Sequence, residues 1–305
     1  MHPIREKIEY GAVAGSAFIL RWIPLWLARL KADAIGLFMA KVLRLRKAVA
    51  VQNLTTAFAD DPKMTPARIN QVYCGVWKHF LRIGIELLRL PRLNRKLVDQ
   101  TVRITGLEHI IEALEKGKGC ICVSGHLGNW EWMGAAISMY GIPTTYVVTY
   151  QSNRMVERWM NRMRESAGIE IVERNNALRG VLSALKRNRG VAILCDQDAH
   201  EAGVFVPFFG RLASTPRGPA IFHLKTGAPI IFASATRETD GIYQITIEPM
   251  CFDLCGDMER DTLTVMADIT ARLEAKIREY PEQWLWLHKR WKSSPATIGE
   301  GKNEA

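Results

Sequence analysis

From residue 102 onward, short apolar runs alternate with helical segments, and this alternation limits the fold more than any other feature of the chain. Residues 102–104, 120–124, 144–148, 169–172, 191–195 and 230–235 read as strands, being apolar, short and bounded by glycine or polar residues. Between them, residues 107–116, 129–140, 152–167 and 175–188 place apolar side chains at helical spacing. Strands joined through helices pair in parallel, so the chain is expected to form an α/β fold with a mixed, largely parallel central sheet flanked by helices. Further helices are expected over 34–58, over 66–90 with Thr65-Pro66 at its start, and over 258–280 ahead of Pro281. No internal repeat and no low-complexity linker interrupts the pattern.

The front of the chain reads differently. Residues 11–30 are apolar over about the length of a bilayer span, but Arg21, Pro24 and Arg29 interrupt them. No small-residue cleavage site of the secretory type is present, so no removed signal peptide is read. Trp22 and Trp26 suit a membrane interface, and residues 1–50 carry nine Lys/Arg against three Asp/Glu. The segment reads as a membrane-associating helix, spanning or lying flat, or else as a buried first helix of the globular domain. This divides the chain into a membrane-associating helix at 1–32, a main domain at 33–295 and a polar tail at 296–305.

Composition excludes some classes. With 305 residues, 48% hydrophobic and 24% charged, the chain is neither disordered nor polytopic. A net charge of +10 calls for nucleic acid, an anionic membrane or an anionic substrate. The six cysteines contain no C-x-x-C pair and read as reduced thiols, not as a disulfide framework or a zinc site.

The chemistry concentrates at Ser124-Gly125-His126-Leu127-Gly128-Asn129-Trp130-Glu131-Trp132, which reads as strand end, glycine turn and helix start. With His126 in the turn and Glu131 in the first helical turn, the two side chains can converge. A carboxylate on one ring nitrogen fixes the tautomer of a histidine and leaves the other nitrogen free to take a proton from a hydroxyl. The competing reading is a structural histidine beside an ordinary first-turn acid. Asp196-Gln197-Asp198 ends the strand 191–195 and points to the same crevice. Arg154, Arg158, Arg162 and Arg164 line one helix, as phosphate ligands or as a solvated face. The run from Gly203 to Gly210 reads as an aromatic loop that lines an apolar trough or packs into the core. Thr215 is placed as a helix cap before Pro216, leaving N–H groups for an anion. His79 reads as a core or surface histidine, and the aromatic-basic segment 284–292 as headgroup-facing or as a structural closing turn.

His126-Leu-Gly-Asn-Trp-Glu131 resembles the motif of the late lipid A acyltransferases, the lauroyl and myristoyl transferases of Gram-negative bacteria, within the lysophospholipid acyltransferase-like superfamily. Asn161-Arg162-Met163-Arg164, Asp196-Gln197-Asp198 with Gly-x-Phe-Val-Pro-Phe-Phe-Gly, Thr215-Pro216-Arg217-Gly218 and the Pro281-to-Lys292 segment resemble it in the same order. The resemblance implies a catalytic dyad of His126 and Glu131 and a functional arginine at Arg164. Candidate substrate-contacting residues are Gly128, Asn129, Arg164, Asp196, Asp198 and Thr215. The implied reaction moves a fatty acyl group from an acyl carrier protein thioester, or from coenzyme A, to a hydroxyl of an anionic glycolipid. It requires no metal and no bound cofactor, and it implies the cytoplasmic face of the inner membrane of a Gram-negative bacterium.

Two other classes are weighed against this one. A metal-dependent hydrolase would use His126, Glu131, Asp196, Asp198 and His200 as ligands. A basic nucleic-acid or membrane-binding module would account for the charge but not for the His-x4-Glu turn, so no nucleic-acid partner is expected. The nearest competitor is the same chemistry on another glycolipid or a lysophospholipid.

Overall fold

In the computed structural model, which describes residues 3–149 and 153–295, the alternation becomes a seven-stranded mixed sheet with an apolar core on each face. The chain runs α1 (Pro3–Trp22), α2 (Leu25–Lys41), α3 (Lys47–Ala57), α4 (Pro66–Leu88) and α5 (Arg95–Thr101). It continues through β1 (Val102–Thr105), α6 (Leu107–Glu115), β2 (Cys120–Ser124), α7 (Trp130–Met139), β3 (Thr144–Val148), α8 (Arg154–Ser166) and β4 (Glu170–Glu173). Then follow α9 (Ala177–Lys186), β5 (Gly190–Leu194), β6 (Val204–Phe208), β7 (Arg211–Thr215), α10 (Gly218–Thr226), β8 (Ile230–Arg237), β9 (Tyr243–Met250) and α11 (Met258–Glu279). The polar tail 296–305 lies outside the described residues.

The strand order is β1-β9-β8-β2-β5-β3-β4. β8, β2, β5, β3 and β4 are mutually parallel, whereas β9 turns back antiparallel to β8 and carries β1 with it. Side chains alternate across the strands. Ile121 and Val123 of β2 therefore pack with α9 and α11 on one face, and Cys120 packs with α7 and α8 on the other. All six expected strands form. Beyond them the structure adds β9 and the β6–β7 hairpin.

The hairpin decides between the two readings of its sequence. The aromatic run 203–210 does not line a trough: β6 pairs antiparallel with β7 around a tight turn in which Phe209 and Gly210 both have positive φ. Phe208 and Phe209 are buried against Phe58, Trp284 and Trp286. The expected helix over 34–58 is also two helices, broken where Arg44 and Arg46 take left-handed backbone angles.

At the front, α2 runs antiparallel along α4. Ala28, Ala32, Gly36 and Ala40 form its buried stripe, and the small side chains let the axes approach closely. A Cβ on Gly36 would press on the Lys78 backbone at 2.8 Å. Asp33 pairs with Arg82, and Arg29 with the fully buried Glu86 at 2.7 Å. The boundary drawn after residue 32 therefore falls inside a helix that packs as one piece. The outward faces of α1 and α2 and the loop after them expose Ile19, Trp22, Trp26, Leu30, Phe38 and Leu43. Among the described residues no helix is long and apolar enough to cross a membrane.

Candidate active site

Two adjacent parallel strands build the site. In the β2–β5 register Ser124 lies beside Leu194, so the residues two positions beyond each strand, His126 and Asp196, emerge side by side although 70 positions separate them in sequence. The His126 Nδ1 lies 2.7 Å from Asp196 Oδ1, and the His126 backbone N–H donates to Oδ2 at 2.7 Å. Trp284 Nε1 donates to the same Oδ2 at 2.8 Å. Burial alone would raise the Asp196 pKa, but the facing His126 ring and these donors outweigh it and hold the carboxyl at about 2. An ionised acceptor at Nδ1 fixes the proton there and leaves the Nε2 lone pair facing the cavity.

The turn that presents His126 is pinned from three sides. Gly128 has φ +60°, and a Cβ there would overlap the Ala235 carbonyl oxygen of β8. Its N–H donates to the Gln283 carbonyl at 2.9 Å, and its own carbonyl accepts from His79 at 3.2 Å. His79 is the satisfied core histidine that the sequence allowed; burial, then the nearby Arg237 charge, lowers its pKa to about 3, so it stays neutral. Asn129 caps α7 by accepting the Trp132 N–H at 3.0 Å, and its amide donates to Glu86 at 2.7 Å. Gly128 and Asn129, expected to touch substrate, thus have structural partners.

Glu131 does not converge on the imidazole. It sits in the first turn of α7, and its carboxylate receives a two-pronged pair from Arg164 of α8, at 3.0 Å from Nε and 2.6 Å from Nη2. Burial pulls the Arg164 pKa down, but Glu131 more than offsets it and the guanidinium is held firmly charged. Trp130 links the two acids' territories: its ring meets His126 edge-on at 4.9 Å, and its Nε1 donates to Glu131 at 3.2 Å. The spacing that predicted a His–Glu contact missed Asp196 because strand register, not local spacing, selects the partner.

The remaining candidates separate in the same way. Asp198 accepts from the Ser293 N–H and hydroxyl at 3.0 and 2.9 Å and from His200 N–H at 3.0 Å, which ties down the segment around Ser293. Burial opposes ionisation of Asp198, yet these donors hold its pKa low. Thr215 is not a helix cap. It ends β7, fully buried, and accepts from the equally buried Arg290 at 2.6 Å, while α10 starts at Gly218 behind Arg217. Trp284, Trp286 and Arg290 are buried, so the aromatic part of the closing segment is structural, while Lys289 and Lys292 stay exposed. Arg158 and Arg162 lie on the exposed face of α8. His126, Glu131, Asp196, Asp198 and His200 do not assemble a metal site: among the described residues no group of three or more His, Cys, Asp or Glu side chains is placed to hold a metal ion.

A cavity of about 670 Å³ opens at His126 and runs back under α7. Glu131, Arg164, Gln197, Asp198 and Arg217 surround its polar mouth, and Gln197 Nε2 lies 3.5 Å from His126 Nε2. Behind them the walls are apolar: Phe80, Ile83 and Leu87 of α4, Met133 and Ile137 of α7, and Cys122 and Ala192 of the sheet. No periodicity in the sequence identified this trough, because the residues that line it also read as ordinary core.

A cavity with an oriented imidazole at a polar mouth and a long apolar body suits an enzyme that handles an acyl chain. Residues 3–293 match the family model described as bacterial lipid A biosynthesis acyltransferase, and the chain belongs to that family. It is an O-acyltransferase of the lipid A type. It is 27% identical over 272 residues to the lipid A biosynthesis palmitoleoyltransferase of Escherichia coli strain K12, covering 87% of this chain and 84% of the relative. The lauroyltransferase of the same organism is 26% identical over 277 residues, covering 87% and 85%. A phosphatidylinositol mannoside acyltransferase of Mycobacterium tuberculosis strain H37Rv is 30% identical over 247 residues, covering 79% and 75%.

Proposed function

We propose that this protein transfers a fatty acyl group from an acyl thioester to a hydroxyl of a lipid A precursor, with His126 as general base. The observation that carries the reading is the Asp196–His126 pair at the head of the apolar cavity. In the proposed step, the acceptor hydroxyl gives its proton to His126 Nε2 as its oxygen bonds to the thioester carbonyl carbon. The tetrahedral intermediate then breaks its C–S bond, and the leaving thiolate takes the proton back from the imidazolium. Asp196 stabilises the imidazolium in between. The Gln197 amide is the side-chain N–H donor nearest His126 Nε2 and is suited to the developing oxyanion.

Glu131 and Arg164 form the opposite polar wall of the mouth, where the guanidinium lends positive potential to an anionic acceptor or donor. The net charge of +10 favours both an acidic carrier protein as donor, with coenzyme A as the alternative, and a phosphorylated glycolipid as acceptor. The exposed apolar faces of α1 and α2, with Lys41, Arg44 and Arg46 beside them, suit a helix pair lying in the interface of an anionic membrane, here the cytoplasmic face of the inner membrane. The likeness to phosphatidylinositol mannoside acyltransferases supports a second acceptor class, a mannosylated glycolipid.

The test is acyl transfer by purified protein in detergent with chelator present, offering labelled lipid A precursor or phosphatidylinositol mannoside and both thioester types. Wild type should add one acyl chain to the precursor, and His126→Ala should lose at least about a thousandfold in kcat. Product from the mannoside alone would change the acceptor, and undiminished turnover by His126→Ala would refute the mechanism.

A further inference from the structure

The apolar body of the cavity has a measurable length, because its floor is a set of parallel strands. The lining includes the first residue of β5, Gly190, and its last, Leu194, and likewise Thr144 and Val148 at the two ends of β3. The cavity therefore follows the strands from the His126 end to their starting ends. Its floor along β5 alone, four steps at a rise of about 3.3 Å, is about 13 Å, and His126 stands a further two positions beyond the paired strand β2.

Its far end is closed by Ile142 and by the position of Gly190. A Cβ built on Gly190 would stand 3.6 to 3.8 Å from Cys120 Sγ, Cys122 Sγ and Ile142 Cγ2, which is ordinary contact. The backbone there is not left-handed, so a side chain is sterically admissible and the glycine is not required by its own conformation.

We propose that Gly190 and Ile142 set the length of the acyl chain, and that the donor site takes a chain of at least about twelve carbons. This rests on the acyl-transfer reading above. Extended single-bonded chain advances about 1.2 Å per bond, so 13 Å of floor holds about eleven bonds, and the two further positions toward His126 add to that. A longer chain leaves its end without a seat, and each methylene so displaced loses about fourfold in kcat/KM.

The experiment measures kcat/KM for a series of carrier-protein thioesters from octanoyl to arachidoyl, with wild type, Gly190→Ala, Gly190→Val and Ile142→Ala. Wild type should peak at lauroyl or a longer chain and fall about fourfold for each methylene beyond the peak. Gly190→Val should move the peak about two carbons shorter, and Ile142→Ala should move it longer. If Gly190→Val does not fold, the wild-type profile and Ile142→Ala still decide the question. A wild-type peak below lauroyl, or the same peak in every variant, overturns the proposal while leaving acyl transfer intact. No transfer from any thioester by wild type overturns the reading beneath it.

Discussion

Replacing Asp196 by asparagine changes one oxygen to an amide nitrogen, and the local hydrogen bonds dictate the outcome. Oδ2 accepts two donors, the His126 N–H and the Trp284 indole, whereas Oδ1 faces His126 Nδ1 alone. Asparagine has one acceptor oxygen. Placing it at Oδ1 would leave two buried donors facing an NH2 group, at about 1 to 3 kcal/mol each. The favoured orientation therefore puts oxygen at Oδ2 and NH2 against Nδ1. Nδ1 must then accept, the proton moves to Nε2, and the base has lost its lone pair toward the cavity. The same exchange in serine-protease triads lowers kcat by about 10⁴. For Asp196→Asn the expected loss is about 10³ to 10⁴, or about 4 to 5 kcal/mol of transition-state stabilisation. Initial acyl-transfer rates should show this in kcat with KM little changed, since Asp196, proposed from the sequence to touch substrate, is buried behind His126 and does not line the cavity. Nitrogen-15 NMR of histidine-labelled protein should find Nδ1–H in wild type and Nε2–H in the variant. A folded Asp196→Asn protein within tenfold of wild type, or an Nε2–H tautomer already present in wild type, would refute the reasoning.

Arg164→Ala should destabilise the protein by about 3 to 5 kcal/mol in urea melts, because it strands the buried Glu131 carboxylate. Pairing it with Glu131→Gln should recover most of that loss, and equal effects from the single and double variants would sink the argument. Gly128→Ala should cost about 3 kcal/mol or more, since its Cβ meets the Ala235 carbonyl at a left-handed backbone position; a denaturant midpoint equal to wild type would contradict this. His79, held neutral down to about pH 3, binds a proton more readily in the unfolded chain, so stability should fall as pH drops below about 6.5, by up to about 1.4 kcal/mol per unit. Urea melts between pH 7 and 4 should show this slope, and His79→Gln, which can still donate to the Gly128 carbonyl, should flatten it.

The strands and helices of residues 102–235 were readable because burial on both faces demands continuous apolar runs and burial on one face demands helical spacing. β9 and the β6–β7 hairpin were missed. β9 alternates apolar and polar residues at a sheet margin, and the hairpin's aromatic run looks the same as a loop packed on a core. Thr215 shows the same ambiguity: Thr-Pro is a strong start signal, but the hairpin register claims Thr215 for a strand and Pro219 takes the first helical turn instead.

The site divides along the same line. By itself the sequence determined that His126 stands on a glycine turn after a strand, that Glu131 opens the following helix, and that Asp196 ends another strand, since all of this is local chain geometry. Only the tertiary structure decided which acid meets the imidazole. The parallel pairing of β2 with β5 brings Asp196 to Nδ1, and the placement of α8 across the cavity from α7 gives Glu131 to Arg164. The apolar trough was likewise a tertiary outcome. A buried side chain that faces empty space and one that faces another side chain obey the same hydrophobic pattern, and only the distance between the layers tells them apart.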